Sequence, residues 1–480
     1  MARDMNIEKT KTKIICTIGP ATSSRHIIAR LIQNGMNVAR LNLSHGTPEE
    51  HTTRICAIRT ASQKLRIPIG ILVDLPGPKI RIGKVFPEPV VLREGAPLTL
   101  TGRHMIGNHS IVSISHPRVL KELKQGDLVF LEDGTVRLKV NEVRNGDAIC
   151  RIVRGGHLSS GKGVNFPGKK LSLSTLTPRD IELLEFAINQ EADFVGISFA
   201  TSGSDIEKAS RIISKRRSKM WAIAKIETKQ AVINIDDIMT KADGIMVARG
   251  DLGVEMDVEE IPELQKKIIH RSNSSGKPVI TATQMLESMV NNSTPTRAEV
   301  TDIANAIIDG TDAIMLSEET AVGKYPIEAV RVMKHVAAAT ERSLPYESIL
   351  DARQSLLKRD IVQDAISFSA CAVAYELEAA CIVAHTRTGI TAHRVSKFRS
   401  SVPIIALTTD PPVMNRLSLL WGVYPYQVKK LKTTAEIFSA AKRAAVDSGL
   451  VTKVNNRVVV VCGDPSSPRG TTDLLHVQSI

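Results

Sequence analysis

Polar side chains of complementary types follow short apolar runs at several places in this sequence, and together they suit one kind of chemistry. The runs end in Arg40-Leu41-Asn42-Leu43-Ser44-His45, Asp74, Lys225-Ile226-Glu227, Arg249-Gly250-Asp251, Thr281-Ala282-Thr283-Gln284 and Ser317-Glu318-Glu319. Glu227 and Asp251 are hard oxygen donors with no clustered His or Cys, which suits Mg2+ or Mn2+ with water and substrate completing the shell. Arg40 and Lys225 offer the fixed positive charge that a transferring phosphoryl group needs. Thr283 carries a hydroxyl able to order a water or relay a proton. Taken singly, each has an ordinary explanation: Arg40 a surface arginine, Lys225 the partner of Glu227, Glu227 a carboxylate favoured at a helix N-terminus. Their recurrence after wholly apolar interiors such as Ile245-Met246-Val247-Ala248 points to one shared pocket for phosphate and a divalent metal.

Such distant residues meet only if the apolar runs lie side by side. Lys13–Ile18, Val38–Leu43 and Ile69–Asp74 read as strands, with helices over Arg25–Gln33 and Glu49–Leu65 between them, the pattern of βαβ units on a parallel sheet. From Gly77 to Gly168 the helical period is lost. Turn dipeptides Gly126-Asp127, Asp133-Gly134 and Asn145-Gly146 separate β-rich runs at Leu128–Leu131, Val136–Val143 and Ala148–Val153, an inserted all-β module of hairpins. The alternation then resumes with strands at Phe194–Phe199, Trp221–Ile226, Gly244–Ala248, Pro278–Thr283 and Ala313–Leu316. Three strands before the insert and five after it predict a closed (β/α)8 TIM barrel, whose reactive residues sit at the carboxyl ends of its strands. No G-x-G-x-x-G follows the first strand, which weighs against a dinucleotide-binding sheet. A helix at Ile361–Tyr375 and strands at Cys381–Ala384, Pro403–Leu407, Val423–Gln427 and Arg457–Val461 form a further α/β unit. The expected fold class is thus α/β. Barrel segments cover 1–76 and 169–345, an inserted β-barrel lid covers 77–168, and a C-terminal α/β regulatory or oligomerisation domain covers 346–480.

Composition narrows the partners. At 480 residues, 42% hydrophobic and 24% charged, the chain is long and apolar enough for several cores, which excludes disorder as its dominant state. Only 3% is aromatic, too little for a base-stacking platform. The formal net charge of +13 favours anionic partners, but no dense basic block appears, so phosphorylated metabolites are expected rather than nucleic acid. Six cysteines without a C-x-x-C pair fit a reducing compartment. No apolar run approaches the ~18 residues of a membrane span, so a cytoplasmic protein without a membrane partner is expected. Two motifs mislead. Gly156 to Gly163 nearly spells a phosphate-binding P-loop, but Gly163 replaces the closing hydroxyl and Val164-Asn165-Phe166-Pro167 follows where a helix should begin. Lys162 on that turn can still meet a phosphate. Arg249-Gly250-Asp251 spells an adhesion tripeptide but is expected to be inaccessible behind a barrel strand. His45, His51 and His335 lack metal-ligand spacing.

Several segments resemble the pyruvate kinase family: Lys13-Ile14-Ile15-Cys16-Thr17-Ile18-Gly19-Pro20-Ala21-Thr22, Arg40 to Gly46, Gly77-Pro78-Lys79-Ile80-Arg81, Ala224 to Glu227, Val247 to Glu255, Thr281 to Met289 and Asp312 to Thr320. The resemblance covers nearly the whole chain in order. It implies phosphoryl transfer from phosphoenolpyruvate to ADP, giving pyruvate and ATP in glycolysis. Arg40 and Lys225 would bind the phosphoryl group, and Glu227 and Asp251 the Mg2+. The Gly250 and Asp251 backbone and Thr283 would meet the substrate, and Ser317 and Glu319 would belong to the proton path from enolate to pyruvate. Asn42, His45, Arg81 and Lys162 would contact the nucleotide.

Two departures matter. K+-dependent members read Asp-Thr-Lys-Gly-Pro-Glu where this chain reads Asp74-Leu75-Pro76-Gly77-Pro78-Lys79. Of the monovalent-cation site, Asn42, Ser44 and Asp74 are present, Leu75 has lost its hydroxyl, and the ammonium of Lys79 can supply the missing charge. Activity without K+ is expected. In the third domain, Thr386-Arg387-Thr388-Gly389-Ile390-Thr391 lies between a strand and a helix, where backbone N–H groups can hold phosphate. With Ser466 to Thr472 it resembles the family's effector site, implying a sugar phosphate or AMP. A homotetramer is the family's usual assembly. Two other readings compete: a Mg2+-dependent phosphoenolpyruvate or pyruvate lyase, which leaves Arg81, Lys162 and the lid without a role, and a non-catalytic basic nucleic-acid binder, which predicts salt-sensitive binding without turnover.

Overall fold

Eight short, almost wholly buried strands close on themselves. The computed structural model describes residues 10–169, 171–357, 361–451, 456–463 and 471–480. It pairs Lys13–Thr17, Met36–Asn42, Gly70–Asp74, Phe194–Ile197, Trp221–Ile226, Gly244–Ala248, Val279–Ala282 and Ala313–Leu316 into a closed barrel. Every seam is parallel, and the eighth strand meets the first with Cys16 beside Leu316. Both faces of each strand are covered, which is why the runs are continuously apolar instead of alternating. Ile15, Leu72, Phe194, Ile223, Met246 and Ile280 plug the interior, while Ile14, Cys16, Val195 and Val247 pack outward against the helices. Capping boxes at Thr47/Glu50, Thr177/Asp180 and Thr296/Glu299 start the helices at Pro48, Pro178 and Arg297.

The strands expected at Val38–Leu43, Phe194–Phe199 and Pro278–Thr283 stop at Asn42, Ile197 and Ala282. Phe199 and Thr283 take left-handed backbone, with φ of 56° and 69°, which no strand accommodates. The chain leaves the sheet just where its polar groups begin.

Between the third strand and the helix at Pro178–Asn189 lies an all-β module with its own apolar core. Its main sheet runs in the order Val164–Asn165, Leu128–Leu131, Val136–Arg144, Asp147–Arg154, Pro97–Thr101, Ile111–Ser113, with Val90–Leu92 paired to Gly156–Leu158 alongside. The central hairpins follow their turn dipeptides. Pro97–Thr101 and Ile111–Ser113 pair in parallel, so no tight turn announces them. The excursion is pinned at its base: Gly77 N–H donates to Asp180 Oδ1 at 3.0 Å, and the other oxygen of Asp180 accepts from Thr177 N–H at 2.9 Å. One helix-capping carboxylate thereby ties the outgoing chain to the returning one.

The C-terminal sheet runs in the order Val423–Gln427, Ile404–Thr408, Cys381–His385, Arg457–Cys462, Leu474–Ser479; the last strand alone is antiparallel. Leu474–Ser479 escaped the sequence reading because its side chains are half-exposed without alternation. Lys13 Nζ donates to Val423 C=O at 2.7 Å, and Arg399 pairs with Asp312, docking this sheet under the amino end of the barrel. Among the described residues no helix is long and apolar enough to cross a membrane.

Candidate active site

The carboxyl ends of the first five strands converge on one ionic network. Arg40 Nε donates to Asp74 Oδ2 at 3.0 Å and its Nη1 to Thr17 Oγ1 at 3.1 Å. Lys225 Nζ lies 2.6 Å from Glu227 Oε1, 3.2 Å from Asp74 Oδ1 and 2.7 Å from Ser198 Oγ. The Ser198 hydroxyl in turn donates to Leu75 C=O at 2.7 Å, and the second oxygen of Glu227 accepts from Phe199 N–H at 2.8 Å. The fourth strand can sit among these side chains because Gly196 has none: a Cβ there would lie 2.8 Å from Asp74 Oδ1.

Burial sets the charges. Asp74 and Glu227 are each 2% exposed. Burial alone would raise the Asp74 pKa, but Lys225 and Arg40 outweigh it and hold this carboxyl below the usual range. Burial likewise opposes the Lys225 ammonium, yet Asp74, Glu227 and Asp251 raise its pKa beyond the ordinary lysine value. These carboxylates therefore hold Lys225 in its charged form. Glu227, unlike Asp74, has its pKa raised: burial raises it first, Lys225 compensates only partly, and Asp251 adds repulsion. Two carboxylates that repel each other across a pocket mark a place for a cation, and oxygen donors alone select a hard one. Among the described residues no group of three or more His, Cys, Asp or Glu could hold a metal. An ion on Glu227 and Asp251 would take its other donors from water and substrate.

Thr283 closes the next side. Its Oγ1 accepts from Gly250 N–H at 2.7 Å and donates to Ala282 C=O at 2.6 Å. Arg249 turns away from the pocket, pairs with Asp302 and donates to Thr283 C=O at 2.8 Å, bracing that left-handed turn. Glu319 accepts from Leu286 N–H at 3.0 Å and Ser317 N–H at 2.7 Å, and burial raises its pKa. The Ser317 hydroxyl is buried and makes no hydrogen bond to another protein group.

The remaining candidates spread over the rim. A cleft of about 370 Å³ separates lid from barrel, with Lys79, Arg81 and Lys162 on one wall and Phe199, Asp251 and Glu255 on the other. Arg81 donates to Gly161 C=O at 2.8 Å, and Lys162 pairs with Glu132 at 2.8 Å. Lys79 is exposed, while Asp74 is engaged by Arg40 and Lys225. Asn42 Oδ1 accepts from Ser44 N–H at 3.1 Å; His45 is exposed and Leu75 buried. Thr386, Thr388, Gly389 and Thr391 lie far off in the C-terminal domain. There Thr386 Oγ1 accepts from Gly389 N–H at 2.9 Å, Thr391 and Thr472 share a hydrogen bond of 2.9 Å, and Thr388 is exposed. Of the companion loop Ser466 to Thr472, residues up to 470 lie outside the described residues.

Thr17, Ser198, Gly196 and the Phe199 amide were missed in the sequence. The first and fourth strands supplied no candidates because their ends carry hydroxyls, Thr17 and Ser198, instead of charged groups. The polar residue after Ile14-Ile15-Cys16 and after Val195-Gly196-Ile197 was the available signal.

Known proteins share this architecture and sequence. The family model described as pyruvate kinase, barrel domain, matches residues 9–330, and the pyruvate kinase alpha/beta domain matches 364–478. A pyruvate kinase of Geobacillus stearothermophilus is 43% identical over 98% of this chain and 81% of its own length. One from Thermococcus litoralis is 41% identical over 99% of this chain and 100% of its own. The crystal structure of a pyruvate kinase from Cryptosporidium parvum superposes with a TM-score of 0.93 at 36% identity, covering 98% of this chain and 96% of that one.

Proposed function

This chain belongs to the pyruvate kinase family and is a phosphotransferase, and from that premise we propose that it transfers the phosphoryl group of phosphoenolpyruvate to ADP at the barrel mouth. A terminal oxygen of ADP forms a bond to the phosphorus, the bond to the enol oxygen breaks, and the enolate takes a proton at carbon to become pyruvate. The observation that carries this reading is the Lys225 ammonium, kept charged between Asp74 and Glu227 and opposite Asp251. Together with Arg40 it meets the charge of the migrating phosphoryl group without any rearrangement of solvent. Glu227 and Asp251 would hold Mg2+, or Mn2+, which when bound supplies further neutralisation of phosphate charge. Thr283 keeps the Gly250–Asp251 turn in place beside the substrate carboxylate. Ser317, backed by Glu319, lies on the path by which a proton reaches the enolate. Asn42, His45, Arg81 and Lys162 contact the nucleotide when the lid closes and excludes water.

Separate apolar cores support a division into barrel segments 1–76 and 169–345, lid 77–168 and C-terminal domain 346–480. Activity independent of K+ is part of the proposal, supported by the apolar Leu75 and by the charge of Lys79 in the cleft. An effector site at Thr386, Thr388, Gly389 and Thr391 is supported by position: these residues follow a strand at the point where the order of the C-terminal sheet reverses. A cytoplasmic, glycolytic homotetramer responsive to a sugar phosphate or AMP completes the reading by family resemblance.

Pyruvate release from phosphoenolpyruvate, ADP and Mg2+ tests it, run with K+ and with a K+-free buffer of equal ionic strength, with Lys225→Met as control. Equal turnover in both, lost in the variant, is expected. Turnover only with K+ would remove Lys79 from the argument, and none in either would remove the reaction.

A further inference from the structure

A second cavity of about 370 Å³ lies at the opposite end of the barrel, where three parts of the chain meet. The barrel contributes His270, Asn273, Ser274 and the Ile307 to Gly310 turn; the helix Tyr346–Gln354 contributes Tyr346, Ile349 and Arg353; the C-terminal domain contributes Arg399 and Trp421. Its walls are largely apolar, but its charge does not balance. Arg399 Nη1 pairs with Asp312, and its Nη2 donates to Asn273 Oδ1 at 2.9 Å and Gly310 C=O at 2.7 Å, while its buried Nε has no partner. Arg353 has only a carbonyl, that of Lys397, and no carboxylate partner among the described residues. Burial first, and then the neighbouring Arg399, pull the Arg353 pKa down to about 9.

The nearby acids are already engaged. Asp312 also accepts from Val279 N–H at 2.9 Å. Asp309 on the cavity wall is held by Lys266 and Gln265, each at 2.9 Å. Lys11, whose ammonium sits 5.6 Å from the Trp421 ring centre, donates to the Tyr346 hydroxyl at 2.8 Å and is balanced by Glu341, which accepts from the Lys11 and Thr12 N–H groups at 2.7 Å, so neither changes the count at the two arginines. Two guanidinium groups over one carboxylate, beside an indole and aliphatic side chains, form a site short of one negative charge.

We propose that this cavity binds a small carboxylate with an apolar body, its oxygens on Arg353 and Arg399 and its body against Trp421, Ile349 and Leu344. The charge of such an anion replaces the missing partner of Arg353, and its apolar part takes the space that the guanidinium groups cannot fill. The occupant touches the barrel, the connecting helix and the C-terminal domain at once, so its affinity depends on how those parts are placed. None of these residues belongs to the phosphoryl-transfer network, and the inference stands apart from that reading.

Calorimetric titration of the full chain tests it with three probes: benzoate, inorganic phosphate as an oxyanion without the body, and benzyl alcohol as the body without the charge. Benzoate should bind at least tenfold tighter than either, and phosphoenolpyruvate should not displace it. Arg353→Met should weaken benzoate at least tenfold and leave turnover at saturating substrates unchanged. Ile349→Trp, which fills the cavity without altering charge, should do the same, so a folding defect in one variant does not protect the idea. Benzoate affinity equal in wild type and both variants would overturn it, as would displacement by phosphoenolpyruvate. Tighter binding of phosphate than of benzoate would also overturn it, since the apolar walls would then have no role.

Discussion

The barrel mouth and the lid cleft use the same residue types in opposite environments. At the mouth, Arg40 and Lys225 are buried against Asp74 and Glu227, each held by contacts from several strands. On the lid, Lys162 is 44% exposed and Glu132 24% exposed, and a single contact joins them. A buried pair is barely screened, and losing one member leaves a charge that cannot be hydrated, whereas an exposed pair yields little and fades with salt. The mouth is built to present fixed charge without moving. In the proposed reaction the lid closes, and its cations gain weight only when that closure removes water from around them.

Four substitutions sharpen that contrast. Lys225→Met should lower turnover by about a thousandfold, since a preorganised charge at the migrating group is lost. The loss should be the same at low and high salt, and steady-state pyruvate release at two ionic strengths checks it. Asp74→Asn should cost about 3–5 kcal/mol of stability at neutral pH by leaving Arg40 and Lys225 without a shared anion. Because the folded Asp74 pKa lies below its ordinary value, wild type has this contribution above the usual carboxylate range and loses it as pH falls through the lowered value. Denaturant melts of the two proteins should therefore converge in acid; a gap independent of pH would show that packing, not charge, is at stake.

On the lid, Lys162→Met should raise KM for ADP about tenfold, the scale of one charged contact to phosphate, while thermal unfolding stays unchanged. An effect on unfolding as large as that of Asp74→Asn would erase the distinction between the two regions. The smallest expected change is in Glu132→Gln. Lys162 loses its resting partner, KM for ADP falls less than tenfold, and the shift disappears above ~0.15 M salt, where the Debye length drops to about 8 Å.

The same contrast explains what could be read in advance. Arg40, Asp74, Lys225 and Glu227 were legible because each follows an apolar strand, and the barrel dictates that strand ends meet. The rim residues Arg81 and Lys162 rested on resemblance, since nothing in a turn-rich β module says which way an exposed side chain points. Ser198 and Thr17 were passed over because a hydroxyl after a strand is ordinary until a lysine or arginine is found beside it. Nothing local in the sequence says that Glu319 braces backbone amides while the buried Ser317 hydroxyl makes no hydrogen bond to another protein group.

Continuous apolar runs at strand length, separated by helices with capping boxes, suffice to specify eight parallel strands and an inserted β module, because those signals are local. Which charges oppose which is not local. That Lys225 stays charged, that Gly196 makes room for Asp74, and that Arg353 at the other end lies beside Arg399, whose ion pair takes the nearby Asp312, all depend on segments brought together from far along the chain. Electrostatic energy follows distance in space and burial, and both come into being only when the tertiary structure forms.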